Sequence, residues 1–270
     1  MPFSDLSLAR RLEATERASN ASFVEARALV SPEIGAGWID VGGTYAMFDG
    51  VSSPSTQTFG FGLFTPPSDG DLDAIERFYR DRSSPVFHEV CPMADPAHMA
   101  LLSSRGYQPI ELTSVMYRTI DRRADPASHH ASVQVRVVGP EEGERWAQTA
   151  AAGWADVVAA GTFLVDLMRV VAARQHARLF LAEIDGRPVA AGSMHIDEGV
   201  ALLSGASTIP EARQRGAQLA LLSARLTYAA QHGCDLAMMC ALPGSGSQRN
   251  AERNGFRIGY TRTKWQLMRR

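Results

Sequence analysis

Two segments of the chain share one pattern at a fixed separation, and this repeat constrains the fold more than any other feature. They read VFHEVCPMADPAHMALLSSRGYQPI and DLAMMCALPGSGSQRNAERNGFRIG. Cys91 and Cys240 are 149 positions apart, and so are Gly106 and Gly255. Each segment predicts an apolar strand, a polar turn, a helix that ends at glycine, and a further strand, because glycine is the usual left-handed helix cap. We therefore expect two halves with the same topology.

The C-terminal half predicts an α/β (α+β) fold whose sheet is mixed, mostly antiparallel and flanked by helices. Strands are predicted at 133–138, 177–184, 188–196, 201–207 and 236–240, and helices at 141–152, 163–173 and 217–231. The turns DGR and DEG separate three consecutive strands, which is typical of an antiparallel meander. In the last helix the 3-4-3 spacing of Leu219, Leu222, Leu226 and Ala229 predicts one buried face.

Composition indicates an ordinary folded protein and excludes several functional classes. The 270 residues include 27 Lys or Arg and 29 Asp or Glu, which gives a net charge of −2. Proteins that bind nucleic acid or anionic membranes usually have a basic excess, so we expect neither partner. No apolar run approaches the roughly 18 residues of a membrane span, and the start has no apolar signal core. Because three scattered cysteines are too few for a disulfide framework, a cytoplasmic protein is expected.

A polar stretch separates the two halves. Residues 121–132, DRRADPASHHAS, contain a proline and no apolar period, so they predict a surface linker. His129 and His130 lie within this stretch. Two adjacent histidines do not make a metal site by themselves, so we favour a solvated loop and expect no metal. The predicted domains are residues 1–120 and 133–270.

The turn TIPEARQRGAQLALL, between a strand and the longest C-terminal helix, carries the clearest chemical signal. Pro210 ends the strand, and Arg213, Arg215 and Gly216 stand at the start of the helix. The first turn of a helix has unpaired N–H groups and the positive end of the helix dipole, so it suits a phosphate. Glycine lets a ligand approach the backbone closely, and the arginines add positive charge. An ordinary capped helix with solvated arginines is the alternative that the residues leave open.

At these residues the sequence resembles the GNAT acetyltransferase superfamily. The family's acyl-CoA pyrophosphate loop has Arg or Gln, two residues, Gly, one residue, then Gly or Ala. This pattern maps onto Arg213, Gly216 and Gln218, with glutamine in place of the small residue. The order of predicted elements in residues 133–270 also matches the family. The resemblance implies two tandem GNAT-like domains, an acyl-CoA-binding domain at 133–270 and a degenerate copy at 1–120.

The resemblance also implies acetyl-CoA as a cosubstrate. In the family, the end of the fourth strand pairs with the pantetheine arm, the loop amides hold the pyrophosphate, and a later helix lies near the thiol. The implied cofactor-binding residues are Ser207, Thr208, Ile209, Arg213, Gln214, Arg215, Gly216, Ala217, Gln218, Ser247 and Asn250. For Ser247 and Asn250, an ordinary role as turn and helix-cap residues carries equal weight.

The implied reaction is N-acetyl transfer, in which an amine of a small molecule or peptide attacks the thioester directly. Many members have a tyrosine five residues before the Phe of a Gly-Phe pair, where it protonates the leaving thiolate, but Ala251 stands there in this chain. Asn250, Tyr260 and His195 are the remaining catalytic candidates, and a packed strand histidine is the more ordinary interpretation of His195. The missing tyrosine keeps a second hypothesis open, a catalytically weak acyl-CoA sensor or regulatory module. The sequence specifies neither the amine acceptor nor the oligomeric state.

The N-terminal half is expected to have lost the phosphate chemistry. Pro66 and Pro67 occupy the positions equivalent to Arg215 and Gly216, and Asp69 follows them. Prolines lack amide donors, and an aspartate repels a pyrophosphate. We expect this half to keep the fold and to wall off the substrate pocket.

Overall fold

The computed structural model describes residues 3–120, 132–156 and 162–268. Its helices are α1 Leu6–Val30, α2 Asp69–Arg80, α3 Ala97–Ser104, α4 Gly143–Ala152, α5 Thr162–Ala173, α6 Ala217–Gln231 and α7 Gly246–Arg253. Its strands are β1 Gly37–Val41, β2 Thr44–Phe48, β3 Thr58–Phe59, β4 Phe87–Val90, β5 Tyr107–Thr119, β6 Gln134–Val138, β7 Arg178–Ile184, β8 Arg187–Asp197, β9 Val200–Thr208, β10 Leu236–Ala241 and β11 Arg257–Leu267. Short 3-10 helices lie at Pro32–Ile34, Pro140–Glu142 and Pro210–Ala212. The mixed, mostly antiparallel α/β fold is confirmed, whereas the predicted linker with His129 and His130 lies outside the described residues except for Ser132.

The chain forms two compact units. Unit 1 comprises residues 1–118 and 238–270, and unit 2 comprises residues 119–237. In unit 1 the strand order is β1-β2-β3-β4-β11-β5-β10. The β3–β4 pair is parallel, and β4 and β5 both pair with β11 in antiparallel fashion. Its hydrophobic core is formed by Ala46, Phe48, Phe61, Leu72, Ile75, Phe78, Tyr79, Val86, Val90, Leu102, Tyr107 and Trp265.

The last strand, β11, belongs to the same compact unit as the N-terminal half. Thr263 lies opposite Val90 of β4, and Thr261 lies opposite Ser114 of β5. Trp265 is buried in the core of unit 1. The domain predicted at 133–270 grouped this strand with residues 133–237, whereas the compact units divide the chain before residue 238. A local pattern specifies that a segment is a strand, but its partners depend on long-range packing.

Unit 2 contains the predicted meander. Strands β6, β7, β8 and β9 follow one another as antiparallel neighbours. The turns after β7 and β8 are Asp185-Gly186 and Glu198-Gly199, and all four residues have positive φ. This is the conformation of the tight type I′ turns that suit the twist of a hairpin. The sequence signals DGR and DEG therefore gave the correct hairpins.

Helix α6 has the predicted bounds, and its buried face agrees in part with the predicted one. Leu222 and Ala229 are buried, whereas Leu226 is half-buried and Leu219 is 41% exposed. The buried face also includes Arg225, which the leucine spacing did not indicate.

Candidate functional site

The 209–216 turn, which joins β9 to α6 in unit 2, is fixed at its start by hydrogen bonds of the main chain. The Ile209 amide donates to the Val189 carbonyl, and the Ile209 carbonyl accepts from the Ala212 amide, both at 3.0 Å. Pro210 begins the 3-10 helix that follows. Both main-chain groups of Ile209 are therefore engaged inside unit 2, whereas the resemblance implied a contact to pantetheine there.

Strand β9 contains a bulge shortly before the turn. Ser193 pairs with Ser204 but Ala191 pairs with Ser207, so β9 has one extra residue at this point. Gly205 has a φ of +60°, the left-handed conformation that glycine adopts in such bulges. Arg225 of α6 donates from Nη1 to the Ser193 carbonyl at 3.3 Å and lies 3.5 Å from the Ser204 carbonyl. The buried arginine therefore supports the bulge that directs the end of β9.

The amino end of α6 has the features of an anion site. Gln214 and Gly216 have positive φ, +62° and +83°, which turns the chain sharply into the helix. Gly216 is the N-cap and supplies no side chain, and the first turn contains no acidic residue. The first amides of a helix have no partner within it and carry the positive end of the dipole. The amides from Ala217 onward are therefore well suited to an anion.

Arg213 is engaged by protein groups. Its Nε donates to the Thr208 carbonyl at 3.3 Å, and its Nη2 donates to the Gly153 carbonyl at 3.2 Å. Asp156 accepts two further bonds, 2.5 Å from Nη1 to Oδ2 and 2.6 Å from Nη2 to Oδ1. The hydrogen bonds from Arg213 lower the pKa of the Asp156 carboxyl, and the same contact raises the pKa of Arg213. The sequence predicted Arg213 as a pyrophosphate ligand, but in the structure its charge is offset by Asp156.

Arg215 differs from Arg213 in its surroundings. Its side chain is exposed, one residue before the glycine N-cap of α6. Within the described ranges it makes no hydrogen bond or ion pair. Among the residues that the structure describes, Arg215 is thus the cation of the turn without a protein partner.

The polar side chains at the end of β9 hold the turn and α4 together. Ser207 is buried, and its Oγ donates to the Ala150 carbonyl at a distance of 2.8 Å. Gln218 donates from Nε2 to Thr208 Oγ1, also at 2.8 Å. The glutamine that replaces the family's small residue therefore ties the first turn of α6 back to the strand.

Ser247 and Asn250 lie on α7 in unit 1, so the structure does not bring them together with the 209–216 turn within one unit. Both are exposed. The helix cap is Ser245, whose side chain accepts from the Gln248 amide. Ala251, which stands where many family members have tyrosine, is buried.

His195 lies in the interior of unit 2, on β8. It is 6% exposed, and its Nδ1 is without a hydrogen-bond partner among the described residues. Burial lowers the pKa of His195 to about 4, and the nearby Arg174 and His176 add to this shift. The imidazole is therefore neutral at pH 7, as expected of a packed strand histidine.

Tyr260 belongs to a buried polar cluster in unit 1. Its Oη donates to Glu13 Oε1 at a distance of 2.8 Å. Arg262, beside it on β11, forms a bidentate pair with Glu16 and lies 3.0 Å from Glu89. Burial raises the pKa of Glu13 to about 7, although the Arg262 charge opposes this shift. The hydroxyl predicted as a general acid is thus bonded within this cluster.

The residue that sequence reasoning missed is Asp156. It follows Gly153 after α4 and lies 57 positions before Arg213. An aspartate in a polar turn is common, and nothing in the local pattern indicates such a distant partner. The pairing follows from the fold alone.

Across residues 3–120, 132–156 and 162–268, no three His, Cys, Asp or Glu side chains gather as metal ligands would. No described helix combines the length and the apolar character needed to cross a membrane. The three cysteines are free.

Comparison with known proteins agrees with the geometry of the turn. Residues 114–245, which include it, match the sequence model of the acetyltransferase (GNAT) domain. No curated protein matches the sequence at a significant level. A GCN5-related N-acetyltransferase from Kribbella flavida is similar in structure, with a TM-score of 0.59, 17% identity, and coverage of 93% of this chain and 96% of that chain.

Two further solved structures extend this likeness. A tandem GNAT protein from the clavulanic acid biosynthesis pathway has a TM-score of 0.59 and 16% identity, and covers 86% of this chain and 82% of its own. A GCN5-related N-acetyltransferase from Sphaerobacter thermophilus has a TM-score of 0.54 and 18% identity, with 79% and 72% covered. At such identities the likeness concerns the fold. The chain therefore has a fold shared with GNAT proteins, and its residues 114–245 are similar in sequence to a GNAT acetyltransferase domain.

Proposed function

We propose that this chain is an acyl-CoA-dependent N-acetyltransferase that transfers an acetyl group from acetyl-CoA to an amine of a small molecule or peptide. The observation that carries the proposal is the amino end of α6, where a glycine N-cap leaves the first amides without a side-chain cap. The match of residues 114–245 to the GNAT domain supports it.

The residues of the turn fit the pyrophosphate of CoA. Main-chain amides from Ala217 onward supply neutral donors, the helix dipole favours a negative group, and Arg215 supplies a free positive charge. No acidic side chain in the first turn opposes an anion. Arg213 stabilises the turn through hydrogen bonds to the Thr208 and Gly153 carbonyls.

The reaction needs little from the protein beyond binding and orientation. The lone pair of a neutral amine attacks the thioester carbonyl carbon, the C–S bond breaks, and the amine proton passes to solvent. A CoA thiolate is a stable enough leaving group for the step to proceed with a weak general acid. Of the three catalytic candidates, Asn250 is exposed, whereas Tyr260 and His195 are buried.

We further propose that residues 1–120 derive from a second, degenerate GNAT-like copy and that residues 133–270 are the active one, joined by 121–132. Helices α3 and α7 are each followed by a glycine with positive φ, Gly106 and Gly255, and then by a long strand. In the N-terminal half the helix equivalent to α6 is α2, whose start is closed by a capping box between Ser68 and Asp71. The capping box occupies the amides of Ser68 and Asp71, and two aspartates make this helix start negatively charged, so it does not suit a phosphate.

Calorimetric titration with acetyl-CoA tests the binding step. We expect Arg215→Gln to weaken binding by about tenfold at low salt and by less at high salt, because a charge-assisted contact is lost. Gly216→Val, which forces a β-branched residue to a φ of +83°, is expected to abolish binding. Asp69→Ala in the N-terminal half is the control and should leave the affinity unchanged. Failure of the wild-type protein to bind acetyl-CoA would refute the proposal.

The alternative is an acyl-CoA sensor, and the buried Ala251 at the position of the usual tyrosine favours it. Thiol release measured with a broad panel of amines separates the two functions. Turnover that falls in the Gly216→Val variant supports the transferase. Binding of acetyl-CoA without turnover on any amine supports the sensor.

A further inference from the structure

We infer that Asp156 is a positioning residue that holds Arg213 as a strap between α4 and β9, which fixes the 209–216 turn before any ligand binds. In this arrangement Arg215, and not Arg213, meets the charge of the anion. The identity of that anion as the pyrophosphate of CoA rests on the proposed function, whereas the strap itself does not.

The guanidinium of Arg213 has almost no donor capacity left for a ligand. Of its five N–H groups, one is bonded to the Thr208 carbonyl, one to the Gly153 carbonyl and two to Asp156. A single N–H on Nη1 is without a partner among the described residues. A side chain that recognises a phosphate by a two-pronged contact needs two free N–H groups on one edge.

The two carbonyls lie on either side of a close contact. Gly153 ends α4, and Thr208 is the last residue of β9. A Cβ on Gly153 would lie 2.5 Å from Ser207 Cβ and 2.8 Å from the Thr208 nitrogen. Only glycine allows this approach, so the end of α4 rests directly on the end of the strand. Arg213 bonds one carbonyl from each side and closes this junction.

Asp156 determines the orientation of the strap. Arg213 has a side chain that is 39% exposed, and two carbonyl contacts of 3.2 and 3.3 Å would compete with water. The carboxylate adds two short, parallel, charge-assisted bonds, which fix the plane of the guanidinium. It also offsets the positive charge, so the electrostatic attraction of Arg213 to an anion at α6 is weakened.

Amide hydrogen exchange in the ligand-free protein tests the strap without any assumption about function. We expect Asp156→Asn to raise the exchange rate of the peptide 209–218 by about 3- to 10-fold, because the turn loses its brace. Arg213→Gln should give the same increase, and the double variant should exceed neither single variant, since both substitutions remove one interaction. In calorimetry, Asp156→Asn should weaken acetyl-CoA binding by a similar factor.

Two variants serve as controls. Glu144 forms an exposed bidentate pair with Arg169 in unit 2, with both bonds at 2.8 Å. Glu144→Gln therefore removes a comparable pair elsewhere and should leave the exchange of 209–218 and the affinity unchanged. Arg215→Gln should weaken acetyl-CoA binding with a reduced salt dependence and leave the exchange in the ligand-free protein unchanged.

Three results discriminate between the ideas. Unchanged exchange at 209–218 in Asp156→Asn would overturn the strap. Tighter acetyl-CoA binding by the same variant would also overturn it, because Asp156 would then be a competitor for Arg213. If the wild-type protein binds no acetyl-CoA but the exchange of Asp156→Asn rises as expected, the proposed function fails and the strap stands.

Discussion

Glu13 is expected to make the stability of unit 1 depend on pH near neutrality. Its carboxyl is 1% exposed and accepts a hydrogen bond from Tyr260. Arg262 is the nearest cation, but it is bonded bidentately to Glu16 and lies 3.5 Å from Glu13. Glu89 adds a third carboxylate to the same cluster, 3.0 Å from Arg262. Lys264 lies 3.6 Å from Glu89, so two cations face three carboxylates, and Glu13 is the carboxylate farthest from Arg262.

The magnitude follows from the pKa of Glu13, which burial raises from 4.5 to about 7. An acid whose pKa is raised in the folded state binds its proton more tightly when folded, so it contributes stability at low pH. That contribution is lost as the pH rises through the folded pKa, and in full it amounts to roughly 3 kcal/mol. Between pH 5.5 and pH 8, the expected loss is about 2 kcal/mol.

The variant Glu13→Gln imitates the protonated acid and removes this dependence. We expect the free energy of unfolding of the variant, relative to the wild type, to rise by about 2 kcal/mol between pH 5.5 and pH 8. Urea unfolding followed by hydrogen exchange of peptides from α1 and β11 reports on unit 1. Groups far from this cluster contribute equally in both proteins, so their contributions cancel in the difference. A difference that stays constant with pH would show that Glu13 does not titrate in this range.

Glu16→Gln tests the cause of this shift. The charge of Glu16 raises the pKa of Glu13, and the charge of Arg262 lowers it. The variant removes the first charge and releases Arg262 from its bidentate carboxylate. We therefore expect the free energy of unfolding of this variant to depend less on pH between 5.5 and 8 than that of the wild type. An equal or steeper pH dependence would contradict the assignment to Glu13.

Two further predictions concern buried histidines and one glycine. Burial lowers the pKa of His88 to about 3 and of His195 to about 4, so each neutral ring contributes stability above pH 6.5 that is lost as the pH falls. Replacing either histidine with Gln should therefore reduce the fall in the free energy of unfolding on going to pH 5.5 by roughly 1 kcal/mol, measured by urea titration. Gly62→Ala should cost about 2 kcal/mol or more, because φ is +67° and the new Cβ would lie 2.8 Å from Cε1 of His98 and closer still to its Nδ1. Gly35→Ala has the same φ with open space around it, so it should cost less, and equal losses would refute the steric argument.

The parts of the fold that the sequence predicts are those set by local physics. The hairpin turns of unit 2 follow from Asp185-Gly186 and Glu198-Gly199, because few residue pairs accept two positive φ values in succession. The bounds of α6 follow from Gly216 at its start and from the apolar run that ends before His232. The absence of a side-chain cap at the amino end of α6 follows from the same glycine. Each of these features depends on neighbours within a few residues.

The features that the sequence did not predict depend on contacts between distant segments. The position of Arg225 in an amphipathic helix is typical of a surface residue, but Arg225 is buried because the carbonyls at the β9 bulge accept hydrogen bonds from its guanidinium. Tyr260 looks available for chemistry, but α1 brings Glu13 to its hydroxyl across 247 positions of sequence.

Arg213 is the most instructive of these residues. Its place in the motif predicts a turn that suits a phosphate, yet the motif does not say which groups the side chain bonds. A guanidinium adopts the orientation in which its N–H groups make the most favourable hydrogen bonds. Here two carbonyls and the Asp156 carboxylate lie within hydrogen-bond distance. The same residue type in the same pattern can therefore act as a ligand in one chain and as a brace in another. What decides between them is whether a carboxylate from another segment lies close enough to hold the guanidinium away from the ligand.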